Sequence, residues 1–204
     1  EAPWFYKRLY STNFQWNIDH KKIFYNKANF HFNYKFLDIN AKYTLVNNYT
    51  YLDQNIQPQQ YDKPINYLLI DTKLFFNLKH FNVGGYFAYQ LVDKQDILRV
   101  PYFIGKIFFI YKQPLFKKKL MTHIGFDVVY NTPFYADAYI PSIRSFYLQD
   151  EVKTGNYPYI NAYIRFQVKS ARFFVKFNNV ASGLFGYNYF SVPHHPMNDR
   201  QFKL

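Results

Sequence analysis

Hydrophobic and polar residues alternate with a period of two along most of this chain. In the run 162–168, aliphatic and aromatic residues take every second position, and Tyr163, Arg165 and Gln167 take the positions between them. The run 171–178 repeats the pattern after a short link. Successive side chains of a β-strand leave opposite faces, so the two runs predict two strands joined as a β-hairpin.

The same alternation recurs along the part of the chain that precedes this hairpin. It covers the runs 28–36, 41–51, 67–76, 81–91, 103–112 and 120–130. Each run has about the 9–11 residues that a tilted strand needs to cross a bilayer. No long stretch with a helical period interrupts the series. The pattern therefore predicts an all-β, antiparallel meander with about eleven strands.

The connections between the predicted strands alternate between short and long. Short connections are predicted at 37–40, 78–79, 113–116 and 168–171, and long ones at 53–63, 92–101, 131–157 and 181–198. Short turns at one end and long loops at the other are typical of transmembrane β-barrels. The alternative is a soluble β-sandwich, in which a second sheet would cover the apolar face.

Aromatic residues are unusually abundant. The 204 residues include 24 Phe and 22 Tyr, and charged residues make up 19%. No apolar run approaches the ~18 residues that a spanning helix requires, so the composition favours a barrel over a helix bundle. Tyrosines near strand ends are candidates for the aromatic girdles at the membrane interface: Tyr49, Tyr51, Tyr89, Tyr111 and Tyr130.

Net charge and cysteine content narrow the function classes. The formal net charge is +12, but the basic residues are not clustered on a candidate helix and no zinc-finger spacing appears. We therefore do not expect a nucleic-acid partner. The chain has no cysteine, which excludes a disulfide framework, a zinc–thiolate site and a cysteine nucleophile.

Charged residues of the alternating runs fall on the polar face, which in a barrel lines the lumen. The pore-lining candidates are Lys35, Lys42, Asp71, Lys73, Lys106, His123, Asp127, Arg165, Arg172 and Lys176. Their basic excess predicts attraction of anions. Arg165 and Arg172 flank the 168–171 turn, and we expect antiparallel pairing to bring them to one level. The alternative is that these cations neutralise acidic residues contributed by missing strands of the barrel or by an internal plug.

Candidates for catalysis and metal binding are weak. His194 and His195 are adjacent, so on an extended chain they point apart and form a poor metal site. The serines are not in a recognisable nucleophile elbow, and we expect neither an enzyme nor a cofactor. The pair Gly84-Gly85 is not followed by the basic residue or helix of a phosphate loop, and we interpret it as a strand kink.

Several sequence blocks resemble one known family. The blocks are Tyr10-x-x-Asn13-Phe14-x-Trp16, Asn48-Tyr49-x-Tyr51, Gln90, Asp96-Ile97-Leu98-Arg99-Val100-Pro101, Tyr135-Ala136-x-Ala138-Tyr139-x-Pro141, Phe146-Tyr147-x-Gln149, Gly155-Asn156-Tyr157-Pro158, Ala171-Arg172-Phe173-Phe174-Val175-Lys176 and Pro196-Met197-x-x-Arg200-x-Phe202. Together they resemble the C-terminal part of the putative porin family of Bacteroidetes outer membranes, over essentially all 204 residues. The chain departs from the family pattern at Asn161 and Asn178, where an acidic residue and a His are expected.

The resemblance implies a single transmembrane barrel domain over 1–204, forming an incomplete portion of a larger barrel in the outer membrane of a Gram-negative bacterium. The implied function is passive diffusion of small hydrophilic solutes or ions, with outer-membrane lipid as the surrounding partner. A second hypothesis remains open: an accessory barrel with a plugged lumen, acting as a subunit of a larger envelope complex. Bulky Tyr67, Tyr86 and Tyr163 on the inward face would narrow the opening in either case.

Overall fold

The computed structural model describes residues 4–117, 119–186 and 189–204, so Tyr187 and Asn188 of the predicted loop 181–198 lie outside the described residues. After one short helix, α1 (Trp4–Lys7), all regular elements are strands. In chain order these are β1 (Arg8–Tyr10), β2 (Gln15–Asn17), β3 (Phe24–Tyr34), β4 (Leu37–Asn47), β5 (Tyr49–Leu52), β6 (Pro58–Tyr61), β7 (Ile65–Asn77), β8 (Phe81–Val92), β9 (Phe103–Leu115), β10 (Leu120–Asn131), β11 (Ala138–Ile140), β12 (Ser145–Tyr147), β13 (Tyr159–Val168), β14 (Ala171–Asn178), β15 (Phe190–Val192), β16 (His195–Pro196) and β17 (Gln201–Lys203). Among the described residues, no helix is long and apolar enough to cross a membrane.

One antiparallel sheet dominates the fold. Its nine strands have the order β17-β14-β13-β10-β9-β8-β7-β4-β3, so strands that follow each other along the sheet also follow each other along the chain. The all-β meander predicted from the sequence is confirmed. The sheet has nine strands rather than about eleven, because the other short strands pair as four separate two-stranded hairpins. It is open between β3 and β17, so the described residues do not close a barrel.

The short connections lie at one end of the sheet and the long connections at the other, as the sequence predicted. Short turns join β3 to β4, β7 to β8, β9 to β10 and β13 to β14, whereas the connections 48–64, 93–102, 132–158 and 179–200 are long. We call the end that carries these four connections the long-loop end. The alternation of short and long connections is thereby confirmed.

Two predicted turn positions are wrong by a few residues. Residues 37–40 belong to β4, and 113–115 belong to β9. Asp38 is of a residue type that favours turns. Within β4, however, its carboxylate accepts hydrogen bonds from His31 and Asn33 on the neighbouring strand at 3.3 Å. The real β3–β4 turn contains Lys35, whose φ of 45° fits the left-handed turns that match strand twist.

One face of the large sheet is predominantly apolar. The register places Phe30, Ala41, Ile70, Tyr89 and Phe103 in one row across five strands. These side chains are not covered by a second layer: Phe30 is 63% exposed. The described residues therefore do not form a two-layer sandwich over this face.

The main hydrophobic cluster lies at the long-loop end rather than between two layers. The cluster consists of the polar-face residues nearest the long loops on β4, β7 and β8, which are Val46, Ile65 and Val92. Ile97, from the loop after β8, packs against them. Tyr49 and Tyr51 also pack there, because a positive φ at Asn48 turns the chain away from the sheet. Their prediction as girdle residues on the apolar face is therefore wrong.

Candidate functional site

The polar face of the large sheet carries the charges of its strands. Every Lys, Arg and Asp within the nine strands takes a position of the alternation opposite to the apolar row. Nine of the ten pore-lining candidates lie on this face. Lys35 does not: it belongs to the β3–β4 turn, and its ammonium lies 5.2 Å from the centre of the Tyr34 ring.

Charges are nearly balanced on β3, β4 and β7. The carboxylate of Asp71 is almost fully buried, and it lies 3.9 Å from the ammonium of Lys42 and accepts a hydrogen bond from Asn40 at 3.1 Å. Lys73 pairs directly across the strands with Asp38. This half of the face therefore neutralises most of its own charge.

The other half of the polar face is cationic. From β8 to β17, Asp127 is the only carboxylate within a strand of the sheet, whereas the strand cations are Lys106, Lys112, Arg165, Arg172, Lys176 and Lys203. The register aligns Lys112, His123 and Arg165 in one row across β9, β10 and β13. Among the described residues, no carboxylate lies within ion-pair distance of Arg165, Arg172 or Lys176. We call this surface, with its six strand cations from Lys106 to Lys203, the cationic patch.

Arg165 and Arg172 do not share one level. Arg165 pairs with Phe174, and Arg172 pairs with Gln167. The two arginines are therefore diagonal neighbours, whose Cα atoms in a typical sheet lie roughly 7–8 Å apart. The turn Lys169-Ser170 pairs Val168 with Ala171. The expectation of one level is wrong because Arg165 lies three residues before that pair, whereas Arg172 lies only one residue after it.

Aromatic rings cover part of the polar face. Tyr86 stands between Lys73 and Lys106 in direct cross-strand register. A Cβ atom at Gly84 would lie 2.5 Å from the ring of Phe108, so this glycine makes room for a ring on the polar face. The pairing of β8 runs through Gly84 and Gly85 without a register shift, so the predicted kink is not confirmed.

A buried hydrogen-bond network joins the sheet to the long loops. Asn161 donates to the carboxylate of Asp127 at 2.7 Å, and its side-chain oxygen accepts the backbone N–H of Asn179 at 3.1 Å. Asn179 is fully buried and accepts a hydrogen bond of 2.6 Å from the hydroxyl of Tyr157. Asn161, one of the two departures from the expected family pattern, thus uses both ends of its amide.

The long loops are fastened to each other by side chains. The guanidinium of Arg99 lies 2.6 Å from the carboxylate of Asp150 and donates to the backbone oxygen of Gln149. The amide of Gln149 makes four hydrogen bonds to the backbone, at Ala136, Glu151 and Val152. Arg99 and Gln149 lie in the sequence blocks that carried the family resemblance, although the sequence pattern assigns them no role.

Two clefts open between these loops. The larger, of about 970 Å³, is lined by residues that include Tyr51, Arg99 and Asp150. The smaller, of about 350 Å³, contains Tyr49 and Asp137. Burial raises the pKa of Asp137 to about 6 and that of Tyr49 to about 12. Sequence reasoning missed Asp137, because a single Asp in a loop gives no periodic signal.

The histidine pair that the sequence offered as a metal-site candidate lies at the surface. His194 and His195 are exposed, and β16 begins at His195. No group of three or more His, Asp or Glu in the described ranges is placed to hold a metal ion.

Comparison with known proteins identifies the family. A family model described as "Putative porin" matches residues 1–204. No curated protein and no solved structure matches the chain. The family match confirms the porin part of the sequence resemblance, whereas the Bacteroidetes source and the C-terminal placement stay predictions. With its apolar and polar faces divided by strand alternation, this chain belongs to that porin family.

Proposed function

We propose that this protein is a porin-like β-barrel of a Gram-negative outer membrane, which lets small hydrophilic solutes diffuse passively and prefers anions. The observation that carries the proposal is the separation of a predominantly apolar face from a charged face on one sheet. In a membrane barrel, lipid covers the apolar face and water contacts the polar face. The family match supports the porin function.

The preference for anions follows from the cationic patch. Its arginines and lysines have no carboxylate partner among the described residues, in contrast to Lys42 beside Asp71. A mobile anion would relieve the repulsion between neighbouring cations of the patch. In wet surroundings the gain is only ~1 kcal/mol for a close charge pair, so we expect selectivity to be modest.

The test is the reversal potential of the full-length protein in a planar bilayer under a KCl gradient. We expect wild-type protein to prefer chloride, and Arg165→Gln combined with Arg172→Gln to reduce that preference. The matched control is Lys63→Gln with Lys94→Gln, which removes two cations from the long loops instead of the sheet. Raising the salt from 0.1 M to 1 M shortens the Debye length from ~10 Å to ~3 Å and should weaken the preference.

A cation preference of the wild type, or equal shifts in the two double variants, would contradict anion attraction by the patch. Absence of any conductance would instead contradict the porin function itself. The two parts of the proposal are therefore tested separately.

A second candidate function is an accessory barrel with a filled lumen, acting as a subunit of a larger envelope complex. It is favoured by the way the loops cover the polar face at one end, where Ile97 packs onto Val46, Ile65 and Val92. The side chain of Gln90 fastens the same loop by donating to the backbone oxygen of Pro101 at 2.9 Å. An absence of conductance in the wild type, together with conductance after deletion of 93–100, would favour this second function.

A further inference from the structure

The smaller cleft at the long-loop end contains a carboxylate with one buried, unpaired oxygen. One side-chain oxygen of Asp137 is buried and makes no hydrogen bond to any described residue. A buried ionised group is costly unless a charge or a hydrogen bond compensates it. This oxygen of Asp137 therefore lacks a hydrogen-bond donor to compensate its burial.

Nearby charges of the protein do not supply that partner. Arg99 acts on Asp137 electrostatically, but its guanidinium is committed to Asp150 and to the backbone oxygen of Gln149. The described residues that line the cleft include no Lys, Arg or His. A cation that compensates Asp137 in the cleft would therefore come from solution.

Aromatic side chains form much of the remaining lining. Tyr6, Tyr49, Tyr51 and Phe146 all contribute to it. The rings of Tyr49 and Tyr51 are stacked, with centroids 6.3 Å apart and planes 12° from parallel. The hydroxyl of Tyr6 is held by the hydroxyl of Ser145 at 3.2 Å. Aromatic faces attract organic cations, and cages of such rings recognise quaternary ammonium groups.

We propose that this cleft binds a small organic ammonium ion, with Asp137 as the counter-ion and the four rings as the cage. The cleft volume of about 350 Å³ lies within the roughly 300–1,000 Å³ typical of small-molecule sites. A hard divalent ion fits the lining poorly, because Ca²⁺ takes about 6–8 oxygen ligands and the lining has one carboxylate. This inference does not depend on transport, because it concerns a separate site.

The test is calorimetric titration of the purified full-length protein with choline at pH 7.5. The control ligand is 3,3-dimethyl-1-butanol, which has the shape of choline without its charge. We expect choline to bind at least tenfold more tightly than this alcohol. We expect Asp137→Asn and Tyr49→Leu each to weaken choline binding at least tenfold, whereas Asp96→Asn, an exposed carboxylate of the neighbouring cleft, should change it less than twofold.

The pH dependence of the wild type gives a second measurement that needs no variant. Burial raises the pKa of Asp137 to about 6, so choline binding should weaken as the pH falls from 7.5 to 5. The titratable and charged groups that influence Asp137 and Tyr49 from the packed elements are Arg99, Tyr6 and Tyr25, which do not change charge in that window. A flat profile would overturn the role of Asp137.

Three other results would overturn the proposal. They are binding of the uncharged alcohol as tight as that of choline, displacement of choline by NaCl at the same concentrations as by an organic ammonium salt, or no binding of choline to protein with a native circular dichroism spectrum.

Both biological sources of the ammonium group, a free solute and a lipid headgroup, agree with the proposal. Nanodiscs separate them. If free choline binds more weakly in choline-headgroup nanodiscs than in glycerol-headgroup nanodiscs, the cleft binds a lipid headgroup, because the headgroup competes with free choline. If free choline binds equally in both, the natural ligand is a free solute.

Discussion

At the residue scale, Asn161 is the position where side-chain chemistry matters most for the junction between sheet and loops. Its amide bridges an acceptor on β10, the carboxylate of Asp127, and a donor after β14, the N–H of Asn179. Both groups would lose a partner if the amide were removed. Asn161 is only 6% exposed, so water cannot readily replace it.

We expect Asn161→Ala to destabilise the protein by about 1–3 kcal/mol, because it leaves buried polar groups without hydrogen bonds. Asn161→Asp should also destabilise, since it keeps an acceptor for Asn179 but places a second carboxylate against Asp127. Unfolding in urea, followed by tryptophan fluorescence, measures both changes. Wild-type stability of Asn161→Asp would show that Asn161 and Asp127 are not in contact.

Asp137 makes a second residue-scale prediction, which concerns pH. Its pKa in the folded protein is about 6, above the ordinary value of 3.8. The protonated form is therefore favoured by folding, and the stability contribution is fully present below about pH 4 and is lost as the pH rises through about 6. The group is partly exposed, so we expect the loss to be ~1–2 kcal/mol rather than the full amount implied by the pKa.

The measurement is hydrogen exchange of the 132–158 loop in the absence of ammonium ions, corrected for intrinsic exchange rates. Wild-type protein should protect this loop better at pH 4 than at pH 7.5, and Asp137→Asn should remove most of the difference. The same pH dependence in Asp137→Asn would mean that another group is responsible.

Sequence patterns located residues of the sheet better than residues of the loops. The polar-face positions of Lys42, Lys106 and Arg165 follow from alternation alone, because every second residue of a strand shares a face. Lys35 was misplaced because the turn lacks the Asn-Gly signal that usually marks a two-residue hairpin. Asp137 could not be found, because its burial arises from contacts between segments far apart in the chain.

At the scale of elements, two glycines of the long strands have different neighbours: Gly84 lies against the backbone of the next strand, and Gly105 lies against aromatic side chains. A Cβ at Gly84 would lie 2.7 Å from the backbone oxygen of Leu74 and 2.5 Å from the Phe108 ring. The three atoms nearest to a Cβ at Gly105 would be side-chain atoms of Phe103 and Phe87, the closest at 3.0 Å. Backbone atoms of a paired strand cannot move away as easily as rings can.

We therefore expect Gly84→Ala to destabilise the sheet by about 1–3 kcal/mol, the range found for overpacked sites. Gly105→Ala is the matched control and should be close to neutral, because its side-chain neighbours can shift and alanine lowers the entropy of the unfolded chain. Thermal unfolding followed by circular dichroism compares the two variants. Equal destabilisation by both would indicate that close approach to the β7 backbone is unimportant.

Strand existence and order were predictable for a physical reason. The period of two is imposed by strand geometry, and connections between neighbours in a meander are local. Strand ends were less predictable: Asp38 satisfies its carboxylate across the β3–β4 pair, and Pro114 is tolerated within β9 opposite Met121. A residue type that suits turns therefore does not have to mark one.

At the scale of the whole molecule, the two faces of the large sheet need different surroundings. No described residues form a layer over the apolar face. An uncovered apolar face of this kind on a soluble protein would associate or aggregate. The open edges of β3 and β17 also call for partner strands, since unpaired backbone groups are costly in lipid. Barrel closure could not be read from alternation, because the pattern of each strand is the same in open and closed sheets.

Strand β10 offers the most direct test of the central claim, that lipid covers one face and water the other. The chain has no cysteine, so single cysteines at His123, Ile124, Phe126, Val128 and Val129 can each carry a unique nitroxide label. Val128 and Val129 are a matched pair, because they have the same side chain and lie on opposite faces.

The measurement is nitroxide accessibility in reconstituted bilayers, with oxygen as the lipid-soluble probe and a nickel chelate as the water-soluble probe. We predict that labels at Ile124, Phe126 and Val128 are accessible to oxygen, and that labels at His123 and Val129 are accessible to the nickel chelate. Equal accessibility of Val128 and Val129, or access of the nickel chelate to Ile124 and Phe126, would contradict the membrane-spanning sheet.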